Sequence, residues 1–373
     1  MGYTSFKNNV MGFSTPRGYY DMQELTIEEA GFDYSLLKTY SGYYYDDDKL
    51  FRSASGGAVS AISEAIIRQG GVVFGAAYSD DFKRVEYRCV DELEDLDSLR
   101  GSKYCVTSKE ILIDNQTRSI FELLEEKIEE DRLVLFVGLG CDIGAVKTYC
   151  EAKQLNTDKL YTIDILCHGP TSALVHQRFV EDLENAHQSK LTFFSVKYKR
   201  YGWSSSYIHA TFENGDIFEF PFYKSDYGLA FSYFSRLSCY NCKFRGAHHA
   251  ADVTCGDHWG LAPSMSGYNG LGVSILFVRT PKGEELTEMI DGSDFHIETA
   301  DTAFALQHNP MYYTCRTKYK KYDQFDKNLR ERGLHYAVMH LPLKPRLRIE
   351  RMVKDILPAP VLAALKEARS RFS

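Results

Sequence analysis

The feature that most constrains the fold is an alternation of short apolar strands and helices between residues 58 and 166. The pattern predicts, in chain order, a helix at 58–68, a strand at 72–78, a helix at 120–129, a strand at 133–137, a helix at 143–152 and a strand at 160–166. Strands that alternate with helices tend to pair in parallel. The sequence therefore predicts a mixed α+β chain with an α/β core and a partly parallel sheet.

The pattern changes after residue 190, where the segments "LTFFSVKYKRYGW", "SYIHATFENGDIFEFPF" and "LGVSILFVRT" alternate as strands. The pair Asn214-Gly215 is a hairpin signal, so these strands are expected to form an antiparallel addition. After residue 300 the chain becomes helical and basic and is broken by prolines. We divide the chain into an irregular N-terminal arm at 1–49 with one short helix over 26–37, a main domain at 50–300 and a basic helical C-terminal region at 301–373.

The net charge of −7 is spread unevenly. From Arg316 to the end, fifteen Lys and Arg stand against six Asp and Glu, a balance of +9, so the rest of the chain carries −16. The acidic body argues against nucleic-acid binding. The basic tail predicts a solvated helical face, or a contact with an acidic partner, a phosphate-bearing ligand or a membrane surface. Because no stretch is apolar enough to span a membrane or serve as a secretory signal, we expect a cytoplasmic protein that is not transmembrane.

Nine cysteines, an odd number in a chain expected in the cytoplasm, favour thiols and metal ligands over disulfides. Cys239 and Cys242 form a C-x-x-C pair, while Cys141 and Cys167 each follow a predicted strand. The carboxyl ends of parallel strands are where ligands gather, so four soft ligands are available. Spacing alone leaves zinc, an iron–sulfur cluster and a structural role open.

The zinc alternative would be a binding protein with a structural knuckle formed by Cys239, Cys242, Cys255 and a histidine. Like Cys255, Cys105 lies inside a motif, and its role stays open. The remaining cysteines are expected to be small buried hydrophobes: Cys89, Cys150 and Cys315.

The segment "LVLFVGLGCDIGAV" allows three interpretations. Gly138, Gly140 and Gly144, between a strand and a helix, resemble a dinucleotide-binding turn, but their spacing differs from that fingerprint. The glycines also suit a close strand-to-helix turn, or a turn that presents Cys141.

Two loops carry groups that suit an anion. The segment "RSASGG" opens a helix with hydroxyl and backbone N–H groups, and "RGSKYCVTS" adds further hydroxyls and a lysine. An ordinary capped helix explains the first segment equally well. The candidate binding residues are Arg52, Ser53, Ser55, Gly56, Gly57, Ser102, Lys103, Tyr104 and Ser108.

Taken together, these motifs resemble those of the coenzyme F420 hydrogenase/dehydrogenase beta-subunit family, whose relatives include flavin and iron–sulfur reductases. The resemblance runs, in the family's order, through "RSASGG", "GGVVFGAAY", "RGSKYCVTS", "LFVGLGCDIGAVK", "IDILCHGPTS", "KYKRYGW", "SCYNCKF" and "ADVTCGDHWG". It covers roughly residues 50–265 and implies that the main domain at 50–300 is a flavin and iron–sulfur catalytic domain.

The resemblance also implies roles for particular residues. Four cysteines would be the ligands of one [4Fe–4S] cluster: Cys141, Cys167, Cys239 and Cys242. Both anion-binding loops would contact a flavin, expected to be FAD. Asp257 and Trp259 of the "GDHWG" turn would shape the region between flavin and cluster. No catalytic residue is assigned.

The chain departs from the family in two places. In "GLGCDIG" the family's proline before the cysteine and glutamine after it are missing, so Asp142 stands beside the cluster, where its charge would lower the reduction potential. The N-terminus lacks the C-x-x-C-x-x-C-x-x-x-C-P run that many relatives carry as a ferredoxin module. We therefore expect a single cluster and an external protein that donates or accepts electrons.

These inferences predict a flavin-dependent iron–sulfur oxidoreductase that passes electrons between a small-molecule hydride carrier, FAD and the cluster. Coenzyme F420 is one candidate carrier. Lys197, Lys199 and Arg200 either attract a phosphate-bearing carrier or are exposed strand charges. The alternatives are a zinc-stabilised protein and a degenerate, non-catalytic partner subunit, which could act in polysaccharide biosynthesis.

Overall fold

The computed structural model describes residues 25–113 and 116–343. Its strands are β1 (Lys38–Tyr44), β2 (Val72–Tyr78), β3 (Val85–Val90), β4 (Glu110–Ile113), β5 (Gln116–Ser119), β6 (Val134–Leu139), β7 (Leu160–Ile165), β8 (Leu191–Tyr198), β9 (Tyr207–Phe212), β10 (Ile217–Pro221), β11 (Val253–Asp257), β12 (Ser274–Val278) and β13 (Phe295–Thr299). Its α-helices are α1 (Ile27–Ala30), α2 (Asp47–Arg52), α3 (Ala58–Arg68), α4 (Ile120–Glu129), α5 (Gly140–Lys153), α6 (Ala173–His187), α7 (Asp226–Tyr233), α8 (Pro281–Glu288), α9 (Thr302–His308), α10 (Tyr322–Arg332) and α11 (Leu334–Met339).

An eight-stranded sheet forms the centre of the described chain, in the order β13-β1-β12-β11-β7-β6-β2-β3. The four middle strands, β11, β7, β6 and β2, pair in parallel, and the outer strands pair antiparallel. The parallel strands are mostly Val, Ile, Leu and Phe because both of their faces are buried. This sheet confirms the predicted mixed α/β class with partly parallel pairing.

The neighbouring strands β6 and β7 set the position of two candidate ligands. They pair in register, with Leu139 opposite Ile165 at their carboxyl ends. Helix α5 begins directly after β6, and Cys141 lies in its first turn, while Cys167 follows the end of β7 by two residues. Both cysteines therefore leave the same edge of the sheet, as the strand pattern predicts.

The N-terminal segment is more regular than the predicted arm. The helix expected over 26–37 ends at Ala30, because Gly31 takes a left-handed φ of +66°. Lys38–Tyr44 forms β1, which pairs with β12 and β13 inside the main sheet. Its partners lie more than two hundred residues away in sequence, so no local pattern reveals this strand. The part of the arm before residue 25 lies outside the described residues.

Two of the three segments predicted to form the antiparallel addition make a separate three-stranded sheet in the order β10-β9-β8. The third, "LGVSILFVRT", forms β12 of the main sheet, so its assignment to the addition is wrong. β9 and β10 are joined at the predicted Asn214-Gly215 hairpin, where Gly215 has a φ of +86°. Side chains of this sheet share one hydrophobic core with α6, α7, α10 and α11. The sheet therefore packs as a second layer that reaches the C-terminal helices.

The described part of the C-terminal region, residues 301–343, is helical as predicted and contains α9, α10 and α11. Helix α11 packs against α6 and α7. The rest of the basic region lies outside the described residues. Among residues 25–113 and 116–343, no helix combines the length and hydrophobicity that crossing a membrane requires.

Candidate functional site

Cys167 lies in the turn between β7 and α6. Gly169, two residues later, takes a φ of +104°, and its backbone N–H donates to Cys167 Sγ at 3.2 Å. A hydrogen bond to sulfur favours the thiolate form. A side chain at position 169 would also collide with the C-x-x-C loop, because a Cβ there would lie 3.1 Å from Cβ of Cys239.

The C-x-x-C loop is a short 3-10 helix at Leu237–Asn241 that carries Cys239, with Cys242 immediately after it. Phe244, two residues further on, packs onto α5 at the place where two glycines remove side chains. A Cβ at Gly144 would lie 2.4 Å from Phe244 Cε1, and one at Gly140 would lie 3.0 Å from Phe244 Cβ.

These contacts give the glycines of "GLGCDIG" a physical reason. Gly140 and Gly144 form a seat on α5 for the ring of Phe244, which brings the C-x-x-C loop against the helix that carries Cys141. The observed packing therefore explains the glycine spacing without a dinucleotide-binding turn.

The four predicted ligand thiols influence one another electrostatically. Desolvation of its sulfur raises the pKa of Cys141 to about 12, and the neighbouring Asp142, Cys167 and Cys242 add to the rise. Burial raises the pKa of Cys167 to about 11, with Cys239 and Cys242 adding to it. Burial also raises the pKa of Cys239, with contributions from Cys141 and Cys242. Three segments that are distant in sequence therefore place these sulfurs in one neighbourhood.

Within the described residues, no three His, Cys, Asp or Glu side chains are arranged closely enough to hold a single metal ion. A cluster of several metal atoms requires wider spacing, because each thiolate binds a different iron. Cys255, which the zinc alternative requires, is buried on β11 in the main core with Val253 and Leu276. Burial raises its pKa to about 12, with Asp257 adding to the rise.

The other cysteines differ in their surroundings. Cys150 is buried, as predicted, and so is Cys105, whereas Cys89 is half-buried on β3. Cys315, predicted to be a buried hydrophobe, is half-buried instead, and its Sγ lies 3.8 Å from the backbone oxygen of Cys242. Cys315 is therefore a fifth thiol next to the C-x-x-C loop, which sequence spacing alone gives no reason to place there.

A cavity opens at the same edge of the main sheet. It extends from the first turn of α3, along the loop at 100–107 and past the ends of β6 and β7. Cys167 lines it, so one candidate ligand faces the cavity directly. The predicted binding residues in its wall are Ser55, Gly57, Ser102, Lys103, Tyr104, Asp257 and Trp259.

Four predicted binding residues lie outside the cavity wall: Arg52, Ser53, Gly56 and Ser108. The guanidinium of Arg52 pairs with Asp48 at 2.8 Å and with Asp97, so its charge is already matched at the surface. Ser108 Oγ donates to the backbone oxygen of Glu110 at 3.0 Å. The contact of Ser108 is local, whereas Arg52 joins the end of α2 to the segment at 95–99.

Arg100, and not Arg52, places a guanidinium in the cavity wall. It lines the cavity, its Nη1 donates to Ser53 Oγ at 2.8 Å, and its Nη2 pairs with Glu64 at 2.7 Å. Gly56 is a packing position, because a Cβ there would lie 2.1 Å from the backbone oxygen of Gly42. Ser53 and Gly56 therefore stabilise the loop through contacts outside the cavity.

Lys199 is a buried lysine that fixes the same loop. Its Nζ donates to the backbone oxygens of Leu50 and Ser55 at 2.6 Å each. Burial lowers the pKa of Lys199 to about 7. The interpretation of Lys199 as an exposed strand charge is therefore wrong, whereas Arg200 is exposed and pairs with Glu219 at 3.0 Å.

Lys103 and Tyr104 present two different surfaces to the cavity. Lys103 Nζ donates to the backbone oxygens of residues 98–100, and burial, with a contribution from Arg88, lowers its pKa to about 7. The ring of Tyr104 stacks on Phe231 at a centroid distance of 4.6 Å. The loop thus supplies a polar cap and an aromatic plane next to each other.

Lys197, which the sequence suggested for a carrier phosphate, instead pairs with Asp257 at 2.6 Å inside the cavity wall. Its Nζ lies 5.4 Å from the ring centroid of Trp259, which stacks on Trp203 at 4.7 Å. Because both charged groups are largely buried and matched, they hold the "GDHWG" turn and its indole in one position.

Asp142, expected to act on a cluster through its charge, is buried and partnered. It accepts a hydrogen bond from Tyr87 Oη at 2.8 Å and pairs with Lys109 Nζ at 2.8 Å. Its Oδ1 lies 4.0 Å from Cys141 Sγ. Lys109 therefore offsets much of the negative charge beside Cys141.

Asp164 and His249 form a second buried polar contact, close to the first turn of α5. His249 Nδ1 lies 2.7 Å from Asp164 Oδ2, and Nε2 lies 3.0 Å from the backbone oxygen of Tyr312. Burial favours the neutral acid, but the hydrogen bond with His249 keeps the pKa of Asp164 below its usual value. Asp164 and the carbonyl of Tyr312 therefore hold the two ring nitrogens of His249 in place.

Comparisons with known proteins fit this geometry. The family model for the N-terminal part of the coenzyme F420 hydrogenase/dehydrogenase beta subunit matches residues 39–112, and the model for the C-terminal part of the same protein matches residues 131–303. No curated protein matches the chain significantly. A chain of the F420-reducing [NiFe] hydrogenase complex from Methanosarcina barkeri is similar, with 17% identity and a TM-score of 0.49 over 78% of this chain and 91% of that chain. Because the two family models together span most of its length, the chain belongs to the coenzyme F420 hydrogenase/dehydrogenase beta-subunit family.

Proposed function

We propose that the chain is a flavin-dependent iron–sulfur oxidoreductase that passes electrons between a small-molecule hydride carrier, FAD and one [4Fe–4S] cluster. Its family supports an oxidoreductase or electron-transfer role. The observation that carries the finer proposal is the meeting of four thiols from three chain segments beside a cavity lined by two hydroxyl-bearing loops.

The donor set fits an iron–sulfur cluster. Four thiolates are the usual ligands of such clusters, and bound cations reverse the rise in thiol pKa that burial causes. Cys141, Cys167, Cys239 and Cys242 would be the ligands. The N–H of Gly169 that donates to Cys167 Sγ further favours the charged form.

The cavity fits a flavin. Binding sites for cofactors are mostly apolar with a few placed polar groups, and here Tyr104 and Trp259 supply aromatic planes while Ser102 and Lys103 supply polar groups. Ser55 and Gly57 lie at the start of α3, where the helix dipole favours a phosphate. These residues would hold FAD across the edge of the sheet.

A bound flavin would supply hydride exchange with the carrier and single-electron exchange with a cluster. The residues of this chain would position and shield that chemistry. Lys199 fixes the loop of Ser55, and the Lys197–Asp257 pair fixes the indole of Trp259. With these groups buried, the cavity wall excludes water from the reacting face.

The partners follow from the same proposal. Electrons would come from, or go to, another protein. The matching family models describe proteins of coenzyme F420 hydrogenases and dehydrogenases, which makes coenzyme F420 the first carrier to test. A cytoplasmic location is part of the proposal.

Anaerobic purification tests this proposal. We expect a brown protein that contains flavin and about four irons per chain. Changing Cys141, Cys167, Cys239 or Cys242 to Ser should remove iron and the reduction of viologen dyes, while Cys89→Ser, the matched control, should keep both. A colourless protein with tightly held zinc would support the zinc alternative. A protein with neither cofactor would support the non-catalytic alternative.

A further inference from the structure

We propose that the surface around Cys141 and the C-x-x-C loop is the docking face for an acidic, one-electron carrier protein. This inference rests on the proposed function, since it names the partner of the same thiol cluster. We define the docking face by Cys141, Arg236, Leu237, Lys243 and Lys318.

The thiol cluster has an inner and an outer side. Cys167 lines the buried cavity, whereas Cys141 is exposed at the start of α5. Next to it, the C-x-x-C loop carries the exposed residues Arg236, Leu237 and Lys243. A protein that contacts this outer side would approach the cluster without entering the cavity.

Within the part of the chain that the structure describes, the positive charge on this face has no carboxylate partner. Arg236, Lys243 and Lys318 are exposed, and none of them forms an ion pair within residues 25–113 and 116–343. Elsewhere on the surface, cations such as Lys38 and Lys159 are paired with carboxylates at 2.6 Å. Other exposed cations in the described residues, such as Lys147 and Lys327, also have no ion pair, so these three differ from them by their position beside the C-x-x-C loop. Positive charge at that position favours a negatively charged partner.

The three cations lie on or near the loop that carries Cys239 and Cys242. Arg236 acts on both Cys141 and Cys239 electrostatically, and Lys243 follows Cys242 directly. Lys318 lies 5.0 Å from the ring centroid of Tyr322. The Tyr322 ring meets that of Tyr240, the residue after Cys239, at 5.9 Å.

One exposed apolar side chain lies among these charges. Leu237 is 56% exposed, although it begins the 3-10 helix that carries Cys239. Weak electron-transfer interfaces are small, and complementary charge speeds their formation more than it tightens them. An acidic carrier with a small apolar centre matches this face. A membrane with anionic lipids would account for the positive charge, but not for the location of that charge beside the thiols.

The electron balance of the exchange is simple. In the reducing direction, two reduced carrier molecules dock in turn, and each is oxidised by one electron. The two electrons, together with one proton taken up from solvent, then leave the protein as the hydride given to the small-molecule carrier, which is reduced. In the other direction every transfer is reversed.

The test compares two charge-reversal variants of the anaerobically purified full-length protein. The first carries Arg236→Glu, Lys243→Glu and Lys318→Glu. The control carries Lys38→Glu, Lys159→Glu and Lys190→Glu, three exposed cations outside the docking face with the same change in net charge. Thermal melting establishes that both are folded. Flavin reduction is followed with two electron donors. One is a reduced acidic [2Fe–2S] ferredoxin, and the other is reduced methyl viologen, a small cation that needs no protein docking.

We expect the first variant to lose at least tenfold in its rate with ferredoxin at low salt, with viologen rates unchanged or raised, while the control keeps the wild-type rate with ferredoxin. The wild-type rate should fall as salt rises. Equal ferredoxin rates in both variants, with viologen active, would overturn the docking face and leave the proposed function intact. Failure of viologen in the wild type would instead count against the proposed function. Binding to anionic vesicles is measured by co-sedimentation. If only the first variant loses this binding, and its rate with ferredoxin is unchanged, the face binds a membrane and the proposal is overturned.

Discussion

Lys199 is buried and Lys103 is half-buried, and both contact backbone carbonyls rather than carboxylates. Lys103 caps three carbonyls of the loop at 98–100, and Lys199 joins Leu50 to Ser55. Without a buried negative partner, the protonated form of each is disfavoured, which is why the pKa of both falls to about 7. Both lysines support loops of the cavity, so their protonation affects the same region.

The stability contributed by Lys199 should therefore depend on pH. Its folded pKa of about 7 lies below the ordinary value of 10.5, so between these limits the unfolded state holds a proton that the folded state lacks. The free energy of unfolding then rises with pH, by up to about 1.4 kcal/mol per unit. We expect the advantage of wild type over Lys199→Met to grow between pH 7 and 9, measured by urea unfolding.

Lys282→Met is the matched control for this experiment. Lys282 also donates to two backbone oxygens, those of Thr157 and Leu160, but it is only half-buried. Its difference from wild type should stay constant over the same pH range. Parallel curves for wild type and Lys199→Met would contradict the interpretation.

Cys315 makes a second prediction at this scale. Its sulfur lies beside the C-x-x-C loop and contacts the carbonyl of Cys242, so we expect it to pack against the loop and not to bind iron. Cys315→Ala should keep the full iron content of the purified protein and cost about 1 kcal/mol of stability. Loss of iron equal to that of Cys242→Ser would make Cys315 a ligand and would require a new assignment.

At the scale of elements, α5 and the C-x-x-C loop behave as one unit. The helix presents Cys141, and the loop presents Cys239 and Cys242. The ring of Phe244 between Gly140 and Gly144 fixes their distance. Assembly of the four thiols therefore depends on a contact that involves none of them.

Gly144→Ala tests this dependence. The added Cβ would lie 2.4 Å from Phe244 Cε1, so the ring must move, and we expect the loop that carries it to shift as well. We expect most of the iron to be lost and the flavin to be kept, with a loss of about 1–3 kcal/mol in stability, as in other overpacked sites. Iron and flavin analysis of the purified variant measures the effect.

Gly292→Ala is the control, because a Cβ at that position meets nothing within 4 Å. It should keep both cofactors. Full iron content in Gly144→Ala would show that the loop reaches its position without the glycine seat.

The elements also show how far sequence reasoning reaches. Cys141 and Cys167 could be assigned to one sheet edge, because both follow strands that local periodicity reveals. Arg52 and the loop that contains Arg100 were both candidates for anion binding, but only Arg100 lines the cavity, and Arg52 instead pairs with Asp97, 45 residues further along the chain. The glycines at 140 and 144 were recognised, but their partner Phe244 lies a hundred residues away, and no local rule connects them.

At the scale of the whole molecule, the cavity joins two layers. Its wall includes residues of the main sheet and Lys197 of the three-stranded sheet, and Lys199, just after the same strand, holds the loop at Ser55. The fold class was predictable from the strand and helix pattern. The insertion of β1 into the main sheet was not, because antiparallel pairing across the full chain has no short-range signal.

A ligand in this cavity should stabilise the whole described fold. Adding FAD to flavin-depleted protein at a hundred times its dissociation constant should raise the free energy of unfolding by about 2.7 kcal/mol. Thermal melting at increasing FAD concentration measures this, with riboflavin, which lacks the phosphates, as the comparison. An equal response to both would exclude a role for the start of α3 in phosphate binding.

The glycine seat on α5 has a consequence for how such a sequence can drift over generations. A methyl group at position 144 is tolerable only if residue 244 becomes smaller first, and a smaller residue 244 removes the pressure to keep glycine. The two positions should change together or not at all, although they stand a hundred residues apart in the chain.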